Sequence, residues 1–325
     1  MFAVRVHAAG GADALQYEQI ADPAPGPGQA LVRVEAAGVN FIDVYQRSGL
    51  YRVEYPFVPG QEGAGTVLDV ASDVTVVAPR DIVAWAGPTG AYAQLATVNA
   101  DRLVPVPAGI TTKQAAAAML QGMTAHYLTT ATYPLRSGET CLVHAAAGGV
   151  GRLLCQIARM RGAHVIGTVG TPAKVAVAKE AGADDVMVYS AQDFETETRR
   201  LTGGAGVHVV YDSVGRGTFD ASLRCLNRRG MMVLYGQSSG PVPAFDPQVL
   251  NQRGSLFLTR PSLGHHTVTR EELLARAGDV LGWVADHRLR LHIGLELPLA
   301  QAAEAHRRLE ARATTGKVLL IPEAA

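Results

Sequence analysis

The spacing that most plainly suits chemistry is Ala145-Ala146-Ala147-Gly148-Gly149-Val150-Gly151. It follows an apolar run, Cys141-Leu142-Val143-His144, and opens a helical pattern through Leu153, Leu154, Ile157 and Ala158. Strand, tight glycine turn, helix is the order that brings backbone close to a pyrophosphate, whose charge rests on the amides at the helix N-terminus. Gly151, the last glycine, lets helix and strand pack closely. A glycine turn alone can be an empty turn, but the strand before it, the helix after it and further β/α units behind it favour a dinucleotide. A nicotinamide cofactor without a 2′-phosphate usually meets an acid roughly 20 residues beyond the glycines. That region here is Ile166-Gly167-Thr168-Val169-Gly170-Thr171, and no aspartate or glutamate occurs from Thr140 to Lys179. The same span carries Arg152, Arg159, Arg161, Lys174 and Lys179. The alternative is a solvated basic face on two helices. Gly170 and Lys174, however, follow the second strand directly, where a 2′-phosphate would lie, so NADPH is expected over NADH.

The elements that must carry these residues change character along the chain. The first third alternates apolar and polar residues at Val4 and Val6 and over Leu31-Val32-Arg33-Val34-Glu35. It is punctuated by Asp22-Pro23-Ala24-Pro25-Gly26-Pro27-Gly28 and by Gly87-Pro88-Thr89-Gly90. Short strands with glycine and proline turns predict an irregular barrel or sandwich. Thr112 to Tyr127 is alanine-rich and helical. From Thr140, strands are predicted at Cys141–His144, His164–Thr168, Asp185–Tyr189, Val207–Tyr211, Met231–Gly236 and Ser255–Thr259, with helices between most of them. This pattern gives an α/β fold with a doubly wound parallel sheet. Beyond about Arg260, Thr269 and Glu272 form a capping box before Leu273, Leu274, Ala277, Val280, Leu281 and Val284. A helix over about 300–311 and a last strand, Lys317–Ile321, complete the chain.

Composition bounds the function. The 325 residues are 48% hydrophobic, enough for two domains. Lysine plus arginine and aspartate plus glutamate are 29 each, so no global basic field for nucleic acid exists. Cys141, Cys155 and Cys225 form no C-x-x-C pair, which argues against a disulfide framework or zinc lobe. The N-terminus reads as a strand, and no apolar run approaches the roughly 18 residues that span a bilayer. A cytoplasmic protein, not one of the membrane, is expected.

Further stretches carry a resemblance. They are Gly38-Val39-Asn40-Phe41-Ile42-Asp43-Val44-Tyr45, Pro59-Gly60-Gln61-Glu62-Gly63, Gln121-Gly122-Met123-Thr124-Ala125 and Val209-Val210-Tyr211-Asp212-Ser213-Val214-Gly215. With Thr259-Arg260-Pro261-Ser262, Arg312-Ala313-Thr314-Thr315-Gly316-Lys317 and the glycine turn, the chain resembles the zinc-free quinone oxidoreductases of the medium-chain dehydrogenase/reductase superfamily, the group that includes zeta-crystallin. The resemblance covers essentially the whole chain. It implies a GroES-like catalytic domain formed by both chain ends, residues 1–121 and 261–325, around a Rossmann NADPH-binding domain, residues 122–260, with the cofactor in the cleft between them.

Alcohol dehydrogenases of the same superfamily hold a catalytic zinc through cysteine and histidine. Asn40 and Gln61 stand here where those ligands would be, so no metal is expected. The adjacent pair His265-His266 reads as an exposed loop. Hydride chemistry then rests on the cofactor, with hydrogen-bond donors near the developing oxyanion. Asn40, Tyr45, Tyr51 and Thr124 are candidates, and the resemblance places Asn40, Tyr45 and Thr124 near the nicotinamide. A tyrosine alone is often a packing residue. Asp43 either orients a neighbour or is structural. Ala147, Gly148, Gly149, Val150 and Gly151 would hold the pyrophosphate. Tyr189 and Arg312 join Gly170 and Lys174 at the 2′-phosphate by resemblance, and Ser213 and Ser238 would line the groove. The expected activity is NADPH-dependent reduction of a small quinone or related activated acceptor. The alternatives are an enone or enoyl reductase and a weakly catalytic NADPH-binding structural or RNA-associated protein. Nothing arginine- and aromatic-rich beyond the cofactor site supports nucleic acid. An apolar edge at Ser255–Thr259, together with the resemblance, predicts a homodimer paired through that strand.

Overall fold

The structure is a computed structural model and describes residues 1–323. Its first strands are β1 (Phe2–Val6), β2 (Leu15–Gln19) and β3 (Gln29–Val39). Helix α1 (Phe41–Arg47) comes next, before β4 (Glu62–Val70), β5 (Ile82–Ala86), β6 (Leu95–Asn99), β7 (Val104–Pro105) and α2 (Thr112–Tyr127). The central run is β8 (Thr140–Val143), α3 (Gly149–Met160), β9 (His164–Val169), α4 (Val175–Glu180), β10 (Asp185–Val188) and α5 (Phe194–Leu201). It continues through β11 (Val207–Asp212), α6 (Phe219–Cys225), β12 (Leu226–Leu234), α7 (Gln248–Gln252) and β13 (Phe257–Thr259). The chain closes with α8 (Arg270–Ala285), β14 (Ile293–Pro298), α9 (Ala302–Glu310) and β15 (Lys317–Ile321).

Two compact units result. One contains Met1–Met123 and the chain from His266 onward; the other is Thr124–His265. In the first, a seven-stranded sheet runs β14-β15-β3-β4-β5-β7, with β6 on the other side of β3. β3 is the hub: it pairs antiparallel with β4, β6 and β15. Its inward residues Val32 and Val34 join Trp85, Tyr92, Leu103 and Leu320 in one core. In the second unit all six strands are parallel, in the order β10-β9-β8-β11-β12-β13. The order reverses between β8 and β11, and a doubly wound sheet takes its ligand at that point. Leu142, Ile166, Val210, Met232, Phe219 and Leu223 form its core.

Helix α2 and strand β15 run as the sequence predicts, and the Thr269–Glu272 capping box forms at the start of α8. Three elements differ. β12 begins at Leu226, because Asn227 to Gly230 continue the strand through a stretch too polar to suggest one. β13 has only three residues, since Ser255 takes a left-handed φ of 57° and delays it. β14 was not anticipated: Gly294 and Pro298 hide the alternation of Ile293, Leu295 and Leu297, and its half-buried face rests on β15.

Candidate active site

The glycine turn lies at the reversal point of the parallel sheet. Ala145 leaves β8 with a left-handed φ of 52°, and Gly148 is the N-cap of α3 with extended backbone (φ −78°, ψ 174°). A Cβ on Gly148 would lie 3.1 Å from the Ala145 carbonyl oxygen, and one on Gly151 would run into that same carbonyl. The turn is therefore a cradle that side chains would fill. Over it, the first amides of a twelve-residue helix lack partners within the helix. Ala147 is buried, and Val150 opens the first turn of α3. At the end of β9 the structure brings Gly170 and Tyr189 together: a Cβ on Gly170 would lie 2.8 Å from the Tyr189 hydroxyl. Lys174 ends a short 3-10 turn, Pro172–Lys174, and directly precedes α4. Arg152, by contrast, is buried on α3, donates to the Val177 carbonyl (3.2 Å) and lies 3.9 Å from Glu180 Oε2, so it packs α4 and already has a counter-charge. Ser213 and Ser238 meet where the loops after β11 and β12 join, Ser238 N donating to Ser213 O (3.1 Å). Arg312 follows α9 with a left-handed φ of 57°.

The sequence gives no hint of the polar network beneath these turns. His144 directly follows β8 and is fully buried between Thr168 Oγ1 (2.9 Å) and Ser222 Oγ (2.8 Å). Asp212 at the end of β11 accepts from Val214 N (2.6 Å), Gly215 N (3.0 Å) and Thr218 Oγ1 (2.6 Å). Burial holds the His144 imidazole below its usual range, hence neutral. The group ties together the turns that leave β8, β9 and β11. It is not a Ser-His-Asp nucleophile, because Asp212 reaches the serine and not the imidazole. The thiols of Cys141, Cys155 and Cys225 are all pushed up by burial and offer no thiolate.

In the other unit the site is built around Asn40. It leaves β3 and caps α1, its backbone N–H donating to Asp43 Oδ2 (2.8 Å). Its side-chain amide donates to Glu62 Oε2 (2.8 Å) and Gly38 O (3.3 Å), and its oxygen accepts from Gln121 Nε2 (3.1 Å) and Lys317 Nζ (2.9 Å). Both amide hydrogens are thus engaged. Asn40 thereby links Gly38, Glu62, Gln121 and Lys317. Lys317 also donates to Glu62 Oε2, while Glu62 Oε1 accepts from Leu120 N (2.6 Å). Both partners of this ion pair are buried, Glu62 at 0% and Lys317 at 2% exposure. A Cβ on Gly38 would lie 2.7 Å from Lys317 Nζ, so a glycine there makes room for the pair. Gln61, beside it, donates its backbone N–H to Asp43 Oδ1 (3.2 Å). Among the described residues no group of three or more histidine, cysteine, aspartate or glutamate side chains comes together to hold a metal ion.

Asp43 is fully buried, and burial pushes its carboxyl up to about 6, against the donors Asn40 N, Gln61 N and Tyr92 Oη (3.1 Å) and the charge of Lys317. Tyr45 is buried on α1, its ring 5.2 Å from that of Tyr51 and 6.1 Å from that of Phe41. The Tyr51 N–H donates to the Tyr45 carbonyl (2.9 Å), which fixes the aromatic wall. Thr124 is buried on α2.

Comparison with known proteins points one way. Residues 26–108 match the alcohol dehydrogenase GroES-like domain, and residues 149–275 match a family described as zinc-binding dehydrogenase. The chain is 45% identical to a quinone oxidoreductase of Pseudomonas aeruginosa over 98% of its own length and 99% of the relative's. It is 39% identical to a 2-haloacrylate reductase of a Burkholderia species, over 100% of both chains. The crystal structure of Escherichia coli quinone oxidoreductase complexed with NADPH superposes with a TM-score of 0.97. It is 42% identical, over 99% of this chain and 100% of that one.

Proposed function

Because the chain belongs to the quinone oxidoreductase family of the medium-chain dehydrogenases/reductases, we propose that it reduces a small quinone with NADPH and without a metal. The observation that carries the reading is the glycine turn at the reversal point of the parallel sheet, where Gly148 and Gly151 leave no room for a Cβ, followed by an acid-free second turn. When bound, NADPH supplies hydride to the acceptor. The amides of Gly149, Val150 and Gly151 receive the pyrophosphate, with Ala147 and Gly148 leaving it room. Lys174, Tyr189 and Arg312 receive the 2′-phosphate beside Gly170, and Ser213 and Ser238 line the groove. Tyr45 and Thr124 offer hydroxyls to the acceptor oxygen, Tyr51 backs the acceptor ring, and Asn40 and Asp43 hold the segment that carries Tyr45.

Metal independence rests on Lys317. Its ammonium neutralises Glu62, so this carboxylate beside Asn40 already has its cation. A homodimer is supported by the exposed Phe257 on the edge strand β13. No helix among the described residues is long and apolar enough to cross a membrane, and a cytoplasmic location fits the reading. The test is NADPH oxidation against a panel of quinones, alkenals and 2-haloacrylate, with NADH in parallel. Turnover of quinones with NADPH supports the proposal. Preference for the activated alkenes would favour the second reading, which the 2-haloacrylate reductase relative brings forward. NADPH binding without turnover of any acceptor would leave a binding protein.

A further inference from the structure

A second buried chain of polar groups starts at Asp43 and leads away from Asn40. Tyr92 Oη lies 3.1 Å from Asp43 Oδ2 and 3.1 Å from His306 Nε2. His306 Nδ1 lies 3.1 Å from Arg47 Nη1, and the Arg47 guanidinium forks onto Glu310 (2.9 and 3.0 Å). Asp43, Tyr92 and His306 are fully buried and Arg47 is 2% exposed; only Glu310, at the far end, reaches solvent. Four elements meet here: α1 brings Asp43 and Arg47, the segment before β6 brings Tyr92, α9 brings His306 and Glu310, and the turn before β4 brings Gln61.

The direction of every hydrogen bond in this chain follows from one residue. Arginine has donors and no acceptor, so His306 Nδ1 must accept from Arg47. A neutral imidazole then carries its hydrogen on Nε2, and burial next to Arg47 holds His306 neutral, down at about 3. Nε2–H donates to Tyr92 Oη, and the phenol O–H is left to donate to Asp43. The chain has no second arrangement while Arg47 stays in place. Arginine does not release a proton, so the chain is no proton conduit.

We propose that Arg47, His306 and Tyr92 form a polarity lock, a set of positioning residues that favours Asp43 as an acceptor and so holds the start of α1 and the Gln61 turn in the geometry the reaction uses. Protonated Asp43 would need an acceptor. If Tyr92 accepts from Asp43, its own hydrogen must turn to His306 Nε2, and the Arg47-fixed tautomer leaves no acceptor there. The lock opposes burial, and so do the Asn40 and Gln61 amides and Lys317; Glu62 faces Tyr92 from β4. Replacing Arg47 with methionine keeps the stem and frees both imidazole tautomers. The chain can then reverse, with Asp43 donating to Tyr92, Tyr92 to His306 Nε2, and His306 Nδ1–H facing outward.

The activity readout rests on the proposed quinone reduction; a stability readout does not. For Arg47→Met, the pH below which kcat/KM falls should rise by about one unit, the loss of one charge-assisted hydrogen bond. Independently, urea unfolding compares pH 6 with pH 8. The wild type, with Asp43 ionised through most of that window, should change little relative to the variant. The variant should keep losing stability as pH rises, because its raised carboxyl ionises there. On a Tyr92→Phe background the chain is already cut, and Arg47→Met should shift neither readout further. Arg47→Lys keeps a donor at His306 and should restore the wild-type profile. A wild type inactive with every quinone, with the stability pattern intact, would remove the functional reading and leave the lock standing. An Arg47→Met variant whose stability drops equally at both pH values would overturn the lock. So would a shift that persists undiminished on Tyr92→Phe, since it would then be plain charge acting through space.

Discussion

Lys317 opens a strand that is otherwise apolar, and the structure gives the reason: its ammonium is the counter-charge of a carboxylate that water does not reach. Removing one partner of a buried pair leaves the other charged and unpaired, which typically costs about 3–5 kcal/mol, whereas removing both charges costs far less. Lys317→Met should therefore destabilise strongly, and Lys317→Met with Glu62→Gln should recover most of the loss, as measured by urea unfolding. Equal loss in the single and double variants would mean that the pair does not interact as drawn. Lys174 is different: partly exposed, on a turn, and proposed to meet a phosphate that NADH lacks. One charge-assisted contact is worth roughly 1.5–3 kcal/mol, about ten- to a hundredfold in affinity. Lys174→Ala should weaken NADPH by that factor and leave NADH unchanged in fluorescence titrations, and the preference should shrink as salt rises. The N-terminus of α4 adds little to that contact, because the helix has only six residues. The residues of the glycine turn were legible, since their spacing is local. The partners of Asn40 were not. Lys317 lies 277 positions away, and no periodicity reports a contact at that separation.

At the scale of elements, α1 shows why its sequence belongs where it is. Asn40 is extended and caps the helix, and Asp43, three residues on, turns back to the Asn40 N–H. A surface capping acid would stay ionised at little cost. Here the acid is buried, and burial raises its carboxyl from 3.8 to about 6. A raised folded-state value means that the carboxyl favours folding while protonated. That contribution is present below about pH 4 and is lost as pH climbs through about 6. The loss is on the order of 3 kcal/mol. Asp43→Asn cannot titrate, so the difference in unfolding free energy between wild type and variant should move against the wild type from pH 4 to pH 7. A constant difference across that range would show that Asp43 does not titrate there. The capping role of Asp43 could be read from a three-residue spacing. Its burial could not, because that depends on Tyr92 and on α9 arriving from the other end of the chain. The same limit hid β14, whose partner β15 makes it a strand more than its own residues do.

For the whole molecule, the two edges of the parallel sheet differ in what they offer to the proposed dimer. β10 ends one side, and its first residue, Asp185, pairs with His164 while Asp184 stands beside it. Charge of this kind blunts a strand edge against further pairing. β13 ends the other side with Phe257-Leu258-Thr259, and Phe257 is 56% exposed. An exposed aromatic on an uncharged edge favours a like strand across a two-fold axis, where each ring covers the other copy. A three-residue strand offers few backbone bonds, so the affinity must come mainly from side chains such as Phe257. The wild type should therefore sediment as a dimer at micromolar concentration, and Phe257→Lys should shift it to monomer with its fold intact by circular dichroism. Glutamate substituted at Val188 on β10 should leave the dimer as it is. A wild-type monomer, or a dimer indifferent to Phe257→Lys and broken at Val188, would place the contact on another surface.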